Sequence, residues 1–532
     1  MIKITNLRLR FDHHPDALRK AAADALAVSL DRIIAIEVKR VSLDARANRP
    51  LSRVYTVVVD VKEEISLLTR IEKTGNLSSW VEKAYEPPMI HHPEKMNRPV
   101  IVGTGPAGLF SGLVLAEAGL NPLLIERGKP VRERSADVGK FWKEGVLKKE
   151  SNVQFGEGGA GTFSDGKLTT RVKDRFQRTA KILTEMVEAG APEEILTESK
   201  PHIGTANLVR VVENIRKKIE GLGGEYRFAV RADDLILDGG VLKGLILADG
   251  EQISADKVIL AIGHSARDTF KALHKRGVAI APKPFSVGFR IEHPQILIDR
   301  NQYGKHAGHP ALGAADYQLS WRTSLGRTVY SFCMCPGGFV IAASSEEGAV
   351  VTNGMSQYGR NGTNANSAIV AEVFPSDFPA SPLQGFDFQR SWEKTAFMLG
   401  GRDYFAPAQL VGDFLTGKLS EQFGVTQPSY QPGVRLADLN QALPPLIIDA
   451  IKEGLMKFDK RIPGFAGVEA VLTGVETRTS CPVRILRKED GQSISVSGLY
   501  PAGEGSGYAG GIMSSALDGI KAAEKLIMGL MD

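Results

Sequence analysis

Three glycines and one acid near residue 100 have the spacing of a dinucleotide site. The stretch PVIVGTGPAGLFSGLVLAEAGLNPLLIERG, residues 99–128, places Gly103, Gly105 and Gly108 directly after a short apolar run. The first glycine permits a tight turn, the second lets a pyrophosphate approach the backbone, and the third lets a helix pack on a sheet. Glu126 ends the next apolar run, where a carboxylate can accept hydrogen bonds from an adenosine ribose. The pattern therefore predicts a strand, a turn, a helix whose N-terminus faces phosphates, and a second strand.

The acid at residue 126 favours FAD or NAD over NADP, because a carboxylate repels a ribose 2′-phosphate. The neighbouring Arg127 leaves NADP open. A second glycine fingerprint after a predicted strand is absent from the sequence, which favours one bound dinucleotide. Electrons would then arrive from the substrate or from transiently bound NAD(P)H.

A second glycine-rich stretch lies near the end of the sequence. GLYPAGEGSGYAGGIMSSALDGI, residues 498–520, has six glycines in its first fourteen residues and continues into an apolar helical pattern. Glycine costs backbone entropy unless the chain needs an unusual φ or a close approach by another group. We therefore expect this backbone to lie against something.

The elements between the two stretches follow from periodicity. Residues 206–224 predict an amphipathic helix with a glycine stop, and the strand-like runs EYRFAVRA, DLILD, VLKGLILA and EQISA predict a β-meander. The run KVILAIG, residues 257–263, is continuously apolar, as in a buried parallel strand.

Several blocks resemble a known family. QFGEGGAGTFSDGKLTTR, AIGHSARDTF, KPFSVGFRIEHPQ, ETRTSCPVRI and YPAGEGSGYAGGI are similar to a bacterial family named FAD-dependent dehydrogenase, within the glutathione-reductase-type FAD-binding superfamily. The resemblance covers roughly residues 98–532, and it implies tightly but non-covalently bound FAD.

The resemblance also implies a division of the chain and a set of contacts. The fold expected is α/β, with a Rossmann-like FAD-binding domain and β-meander at 99–280 plus 461–532 and a mixed α+β substrate or cap domain at 281–460. The residue pattern itself adds a proline-rich linker at 89–98 and a small α+β domain at 1–88, for which a ferredoxin-like arrangement is a candidate. In this family pattern Glu504 would contact the flavin ribityl chain, although it replaces the usual Asp, and the helix after it would point its N-terminus at the flavin ring. The cofactor-binding residues implied are Gly103, Gly105, Pro106, Ala107, Gly108, Glu126, Arg127, Phe155, Gly156, Gly158, Gly159, Ala160, Gly161, Thr162, Val230, Gly263, Gly503, Glu504, Gly510, Gly511 and Ile512.

The reaction itself is weakly marked in the sequence. A flavin supplies hydride chemistry, so the protein need supply only orientation, a proton donor and a dry pocket. The candidates for those roles are His202, Arg290, His293, Arg478 and Lys167. The two arginines could bind an anionic substrate. A structural role is nevertheless the more common one for each of the five residues.

The remaining cysteine and histidine motifs predict structure rather than chemistry. Cys333 and Cys335 form a CxC motif whose Cα atoms would be roughly 6.6 Å apart in a strand. We expect a packed strand end here rather than a redox pair. Neither His91-His92 nor the HAGH of residues 306–309 is a complete metal-binding set, so we expect no metal site.

Composition indicates a soluble cytoplasmic protein. The 532 residues are 43% hydrophobic and 24% charged, with a net charge of +5 and three cysteines. The charge is too small to indicate a nucleic-acid partner, and no apolar run could span a membrane. The leading hypothesis is an FAD-dependent oxidoreductase acting on a small molecule. The alternative is a flavin-bearing binding or regulatory protein whose N-terminal domain docks a protein or RNA; the oligomeric state is not predicted.

Overall fold

Alternating strands and helices make up the computed structural model, which describes residues 1–46, 48–62 and 75–531. Its strands are β1 Ile2–Arg10, β2 Ile33–Asp44, β3 Ser52–Val61, β4 Leu77–Ser79, β5 Val100–Val102, β6 Leu123–Glu126, β7 Glu225–Phe228, β8 Ala232–Asp238, β9 Val241–Leu247, β10 Gln252–Ser254, β11 Val258–Leu260, β12 Ile280–Pro282, β13 Phe285–Pro294, β14 Ser320–Arg322, β15 Thr328–Cys335, β16 Phe339–Ala342, β17 Thr352–Met355, β18 Asn364–Val373, β19 Ala406–Leu410, β20 Val434–Leu436, β21 Val471–Glu476, β22 Val483–Ile485 and β23 Leu499–Pro501.

The helices connect and cover these strands. In the described residues the helices are α1 Ala17–Leu26, α2 Pro106–Glu117, α3 Val131–Glu144, α4 Arg178–Glu188, α5 Thr205–Gly221, α6 Arg267–Lys275, α7 Gln295–Tyr303, α8 Gln384–Leu399, α9 Val411–Thr416, α10 Pro445–Asp459 and α11 Ile512–Met531. Among these helices, none has the length and apolar character needed to span a bilayer.

A five-stranded parallel sheet positions both glycine-rich stretches. Its order is β23-β11-β5-β6-β7, and every neighbouring pair is parallel. Strands β5, β11 and β23 are buried along their whole length, as expected of a sheet covered on both faces. Because the chain runs the same way in every strand, the turns after β5, β11 and β23 meet at one edge of the sheet.

The meander is shorter than the sequence pattern predicts. Strands β8, β9 and β10 form an antiparallel three-stranded sheet. The run EYRF is not part of it, because β7 pairs parallel with β6 and completes the larger sheet. The alternation of apolar residues that marks both kinds of strand cannot tell which partner a strand takes.

A seven-stranded sheet organises the second large unit. Its order is β14-β15-β18-β13-β21-β19-β20, antiparallel except for the β19–β20 pair. The predicted boundary at residue 460 is wrong, because β21 pairs with β13 and β19 in the middle of this sheet. The unit therefore continues past residue 460.

The first residues form a separate four-stranded antiparallel sheet. Its order is β2-β3-β1-β4, and α1 packs on it over Ile2, Ile4, Val57 and Val59. Within this unit α1 begins at Ala17, and β3 lies between β2 and β1 in the sheet. A ferredoxin-like arrangement needs a second helix between β3 and β4, where residues 63–74 lie outside the described residues.

This N-terminal unit hydrogen-bonds to both large units. The Val41 amide donates to the Thr197 carbonyl at 2.8 Å, and the Ser199 amide donates to the Val41 carbonyl at 2.9 Å. The Arg53 guanidinium donates to the Ala311 carbonyl at 2.9 Å. The ring of Phe11 also contacts two histidines of the HAGH motif edge-on.

Helices α2 and α11 pack closely because a glycine lies where they meet. The predicted apolar face of α11 is buried, with Ile520, Ala523 and Ile527 fully inaccessible to solvent. A Cβ placed on Gly519 of α11 would overlap the Ala107 carbonyl oxygen of α2. The last helix of the chain is therefore fitted to the first helix of the parallel sheet.

We predict that Gly519→Ala lowers the free energy of unfolding by about 1–3 kcal/mol, because the added methyl group meets backbone that cannot rotate away. Chemical denaturation would measure the change. Gly529→Ala is the matched control, since Gly529 lies on the same helix with only the Tyr500 hydroxyl near its Cβ position, at 3.5 Å. There the better helix propensity of alanine should leave stability unchanged or raised. Equal behaviour of the two variants would contradict this account of the packing.

Candidate functional site

A cavity of about 360 Å³ lies at the carboxyl edge of the parallel sheet. The turns after β5, β6, β11 and β23 line one side, together with the glycine-rich segment around residues 154–167. The second large unit closes the other side with Phe332, Cys333, Asn353 and Arg478. The volume falls in the range usual for cofactor and ligand sites.

Most residues that the sequence marks as cofactor-binding line this cavity. Gly108, Gly158 and Thr162 do not line it, because Gly108 packs on Gly103 and the other two lie against each other beside Val212 of α5. The predicted residues that line the cavity are Gly103, Gly105, Pro106, Ala107, Glu126, Arg127, Phe155, Gly156, Gly159, Ala160, Gly161, Val230, Gly263, Gly503, Glu504, Gly510, Gly511 and Ile512.

The first glycine turn has a separate steric reason for each glycine. Gly103 has a φ of 97°, and a Cβ on it would overlap the Ala261 carbonyl oxygen. A Cβ on Gly108 would overlap the Gly103 carbonyl oxygen, so α2 could not approach the strand. A Cβ on Gly105 has room beside Gly159, 3.7 Å away, and projects where α2 begins. Only Gly105 is therefore free to serve the cavity rather than the fold.

Glu126 joins three segments of the cavity wall. One carboxylate oxygen accepts from the Thr104 amide at 2.9 Å and the Thr104 hydroxyl at 2.8 Å. The other accepts from the Gly128 amide at 2.9 Å and the Gly156 amide at 3.0 Å. These four bonds use the four acceptor positions of a carboxylate. Glu126 thus holds the first turn and the glycine-rich segment together before any ligand is considered.

Arg127 carries a charge that the protein already neutralises. Its guanidinium donates twice to Asp268, at 2.9 Å each, and once to Glu150 at 2.7 Å. It also lies 4.0 Å above the ring of Phe155. A 2′-phosphate would compete with two carboxylates for this arginine, so the possibility of an NADP site loses its main support.

A buried arginine that the sequence did not single out shapes the glycine-rich segment. Arg134 of α3 is fully inaccessible to solvent and donates to five carbonyl oxygens between Asn152 and Gly159, at 2.7–3.2 Å. Burial lowers the pKa of Arg134 to about 10. Nothing in the sequence separates Arg134 from the exposed Arg132 two residues earlier.

The second glycine turn is fixed to α11. The Gly503 amide donates to the Asp518 carboxylate at 2.8 Å, and Arg487 pairs with the same carboxylate at 2.7 Å. Beyond the turn, a Cβ on Gly510 or Gly511 would meet no atom within 4 Å. Burial raises the pKa of Glu504 to about 7, against the opposing effect of Lys283. The turn therefore presents open backbone and one weakly acidic carboxyl to the cavity.

Two of the five proposed catalytic residues line the cavity. Arg478 pairs with Glu393 through two nitrogens at 3.0 Å and also donates to the hydroxyls of Ser265 and Ser345. Lys167 donates to the Met334 carbonyl oxygen. Arg478 shares the Glu393 carboxylate with Arg267, which also pairs with Glu346, whereas the hydrogen-bond partner of Lys167 is an uncharged carbonyl.

The other three candidates do not line the cavity. His293 is buried against Phe465, with its Nε2 at 2.7 Å from the Phe465 carbonyl, and burial lowers its pKa to about 4. His202 stacks on Tyr358. Arg290 is fully buried and pairs with Glu476 at 2.5 and 2.9 Å.

His264 is a cavity residue that the sequence analysis missed. Its Nε2 lies 3.0 Å from the Arg478 carbonyl, which can only accept, so Nε2 carries the proton. Burial lowers the pKa of His264 to about 3, and the nearby Arg478 adds to this effect. Its Nδ1 is then an acceptor. The available signal was its position directly after Gly263 at the end of a buried strand.

One known protein is similar to this protein over almost the whole chain. A Clostridium beijerinckii protein described as uncharacterized is 48% identical over 528 residues, which is 99% of this chain and 98% of the relative. The two proteins belong to one family. Residues 284–479 match the domain family described as FAD-dependent protein, C-terminal domain-like, and residues 1–60 match a domain of unknown function. These bounds agree with a second unit that continues past residue 460.

More distant similarities cover parts of the chain. Protein FixC of Escherichia coli K12 is 28% identical over 222 residues, which is 40% of this chain and about half (48%) of FixC. Glycine oxidase from Bacillus cereus is 12% identical over 82% of this chain and 96% of its own, with a TM-score of 0.32. At that score the likeness carries no argument about activity. The finer assignment to the glutathione-reductase-type superfamily stays a prediction.

We predict that Arg134→Met lowers the free energy of unfolding by at least about 3 kcal/mol, because several buried carbonyl oxygens lose a charged donor. Denaturant unfolding would measure the loss. Arg132→Met is the matched control on the same helix, since its side chain is 71% exposed and pairs only at the surface. That change should stay within about 0.5 kcal/mol. A similar small effect at both positions would contradict the role given to Arg134.

His293 predicts a specific pH dependence of stability. Its folded-state pKa of about 4 lies below the value of about 6.5 expected in the unfolded chain. As pH falls below about 6.5, the unfolded chain binds a proton that the folded chain excludes, so stability falls until pH reaches about 4.

The His293→Gln variant, which keeps an N–H donor for the Phe465 carbonyl, should lack this loss. Between pH 7 and pH 4 the wild type should lose up to about 3 kcal/mol more than the variant. Parallel urea titrations at each pH would measure the difference. Identical pH profiles would show that the histidine is not buried as described.

Proposed function

We propose that the cavity binds FAD and that the protein is an oxidoreductase that transfers a hydride between this FAD and a small-molecule substrate. The observation that carries the proposal is the meeting of two glycine turns, at residues 103–105 and 503–511, on one cavity. The match of residues 284–479 to an FAD-dependent domain family supports the choice of cofactor.

The part of the cavity beside Gly105 and Gly159 suits the diphosphate in the middle of FAD. Gly105 precedes the first turn of α2, whose N–H groups have no partners within the helix and attract anions. Gly159 and Gly105 approach each other without side chains between them. The FAD diphosphate would lie here, against backbone amides.

The adenosine end is set by Val230 and Glu126. The Val230 amide donates to the Glu126 carbonyl at 3.0 Å, so a backbone contact with adenine would use the Val230 carbonyl. The Glu126 carboxylate already accepts four protein hydrogen bonds. A ribose hydroxyl would therefore share or displace the Thr104 hydroxyl to reach it. A 2′-phosphate at this end would find Arg127 already paired with Asp268 and Glu150. This pairing favours FAD over NADP.

The flavin end is set by α11 and the second unit. FAD, when bound, would supply the two-electron chemistry. The N-terminus of α11, approached through the open backbone of Gly510 and Gly511, would stabilise negative charge on the reduced ring. Glu504, with its pKa near 7, can hold a proton beside the cavity, and neutral His264 can accept a hydrogen bond through Nδ1.

An anionic substrate would meet Lys167 rather than the two arginines first considered. Arg478 and Arg290 are each paired with a buried glutamate, Glu393 and Glu476. Lys167 lines the cavity and bonds only to a carbonyl oxygen among the contacts described above. The proposal that the substrate is anionic therefore depends on Lys167.

We predict that the purified protein carries one FAD per chain and that Gly105→Val weakens FAD binding more than tenfold. The valine side chain would occupy the place proposed for the diphosphate, while the φ of −67° at this position suits a side chain. Fluorescence titration of the apoprotein with FAD would measure the affinity. Gly139→Val is the matched control, because its Cβ position is open and lies on α3 away from the cavity.

A chain that neither carries nor takes up FAD would contradict the proposal. The reaction class is tested separately by anaerobic mixing of the holoprotein with NADH, NADPH and a metabolite panel. Bleaching of the flavin by one compound identifies the electron donor. A flavin that no compound reduces would favour a non-enzymatic role.

A further inference from the structure

Two of the three cysteines lie on β15, beside the cavity. Cys333 lines the cavity on the wall made by the second unit, opposite the glycine turns. Cys335, two residues further along β15, is fully buried behind it. The third thiol, Cys481, is also buried, and it donates to the Gly505 carbonyl at 3.2 Å.

A β-bulge lies at Cys333 and interrupts the pairing of β15 just before Cys335. Phe332 pairs with Ala368 of β18 and Cys335 pairs with Asn366, so β15 has one more residue than β18 between these pairs. Cys333 has a φ of 45°, which is rare for a residue other than glycine. Bulges of this kind re-aim side chains beside active sites.

The Cys335 thiol is turned back toward Cys333 at the bulge. It donates to the Cys333 carbonyl at 3.3 Å. A regular strand would hold their Cα atoms roughly 6.6 Å apart. We expected a packed strand end here, and the sequence did not predict the bulge.

The surroundings distinguish Cys333 from the other thiols. The hydrogen bond from Cys335, together with the nearby Arg290 and Lys167 cations, lowers the pKa of Cys333 to about 5. Arg290 also donates to the Cys333 carbonyl at 2.9 Å. Cys335 has its pKa raised, and burial raises that of Cys481 to about 12. Cys333 is thus the thiolate, and the only one of the three thiols that lines the cavity.

We propose that Cys333 and Cys335 are a redox-active pair that exchanges two electrons with the FAD of the proposed function. In one direction the Cys333 thiolate and the Cys335 thiol form a sulfur–sulfur bond, and Cys335 gives up its proton. The electron pair and that one proton would pass to FAD. In the other direction reduced FAD cleaves the disulfide.

The substrate class that follows is a small disulfide or dithiol. The Cys333 thiolate would attack an external disulfide and release one thiol. Cys335 would then displace the second thiol and close the Cys333–Cys335 disulfide, which reduced FAD opens again. Because Cys335 is buried, the external sulfur would meet Cys333 first.

Anaerobic titration of the holoprotein with dithionite tests the pair. The wild type should take up four electrons per bound FAD, two for the flavin and two for the disulfide. Cys333→Ser and Cys335→Ser should each take up two. Cys481→Ser, the matched control for loss of a buried thiol, should still take up four.

A second measurement does not depend on the flavin. After exposure to oxidised glutathione, apoprotein that is unfolded and alkylated should show one modified cysteine in the wild type, at Cys481. Cys333→Ser should show two modified cysteines, at Cys335 and Cys481.

These two measurements separate the possible failures. A wild type that binds one FAD per chain, takes up two electrons and keeps three alkylatable thiols would overturn the pair and leave the proposed function standing. A chain that binds no FAD would overturn both proposals.

Discussion

The direction of the chain in three neighbouring strands is the constraint on which the rest of the site depends. Strands β5, β11 and β23 are parallel and adjacent, although they come from distant parts of the sequence. Their carboxyl ends must share one edge of the sheet, and so must the turns that follow. Gly519 then lets α11 pack against α2, which fixes how closely those turns approach. The cavity is a product of this geometry.

The sequence predicted the elements whose signals are local. The fingerprint at residues 103–108, the buried strand near residue 258 and the apolar face of α11 could be found because each depends on periodicity or on glycine spacing within about twenty residues. The mixed α/β class is confirmed on the same basis. The placement of β7 and β21 was wrong, since a short apolar strand contains no information about which distant strand pairs with it.

The chemistry of the site could not be predicted in the same way, because it depends on partners that are far apart in the sequence. Arg478 is a candidate anion site by residue type, yet it is already paired with Glu393, 85 residues away. Arg290 is likewise compensated by Glu476, 186 residues away. Arg134 is essential to the cavity wall only because α3 points it at carbonyl oxygens of a later loop. One extra residue in β15 gives the two cysteines of the CxC motif an arrangement different from that of a regular strand.

The attachment of the N-terminal sheet has a consequence for access to the interior. This sheet forms hydrogen bonds with Thr197 and Ser199 on the first large unit and with Ala311 on the second, so it connects the two units. If the two large units moved apart, the hydrogen bonds from the sheet to at least one of them would have to break. The N-terminal sheet therefore opposes any separation of the two large units from each other.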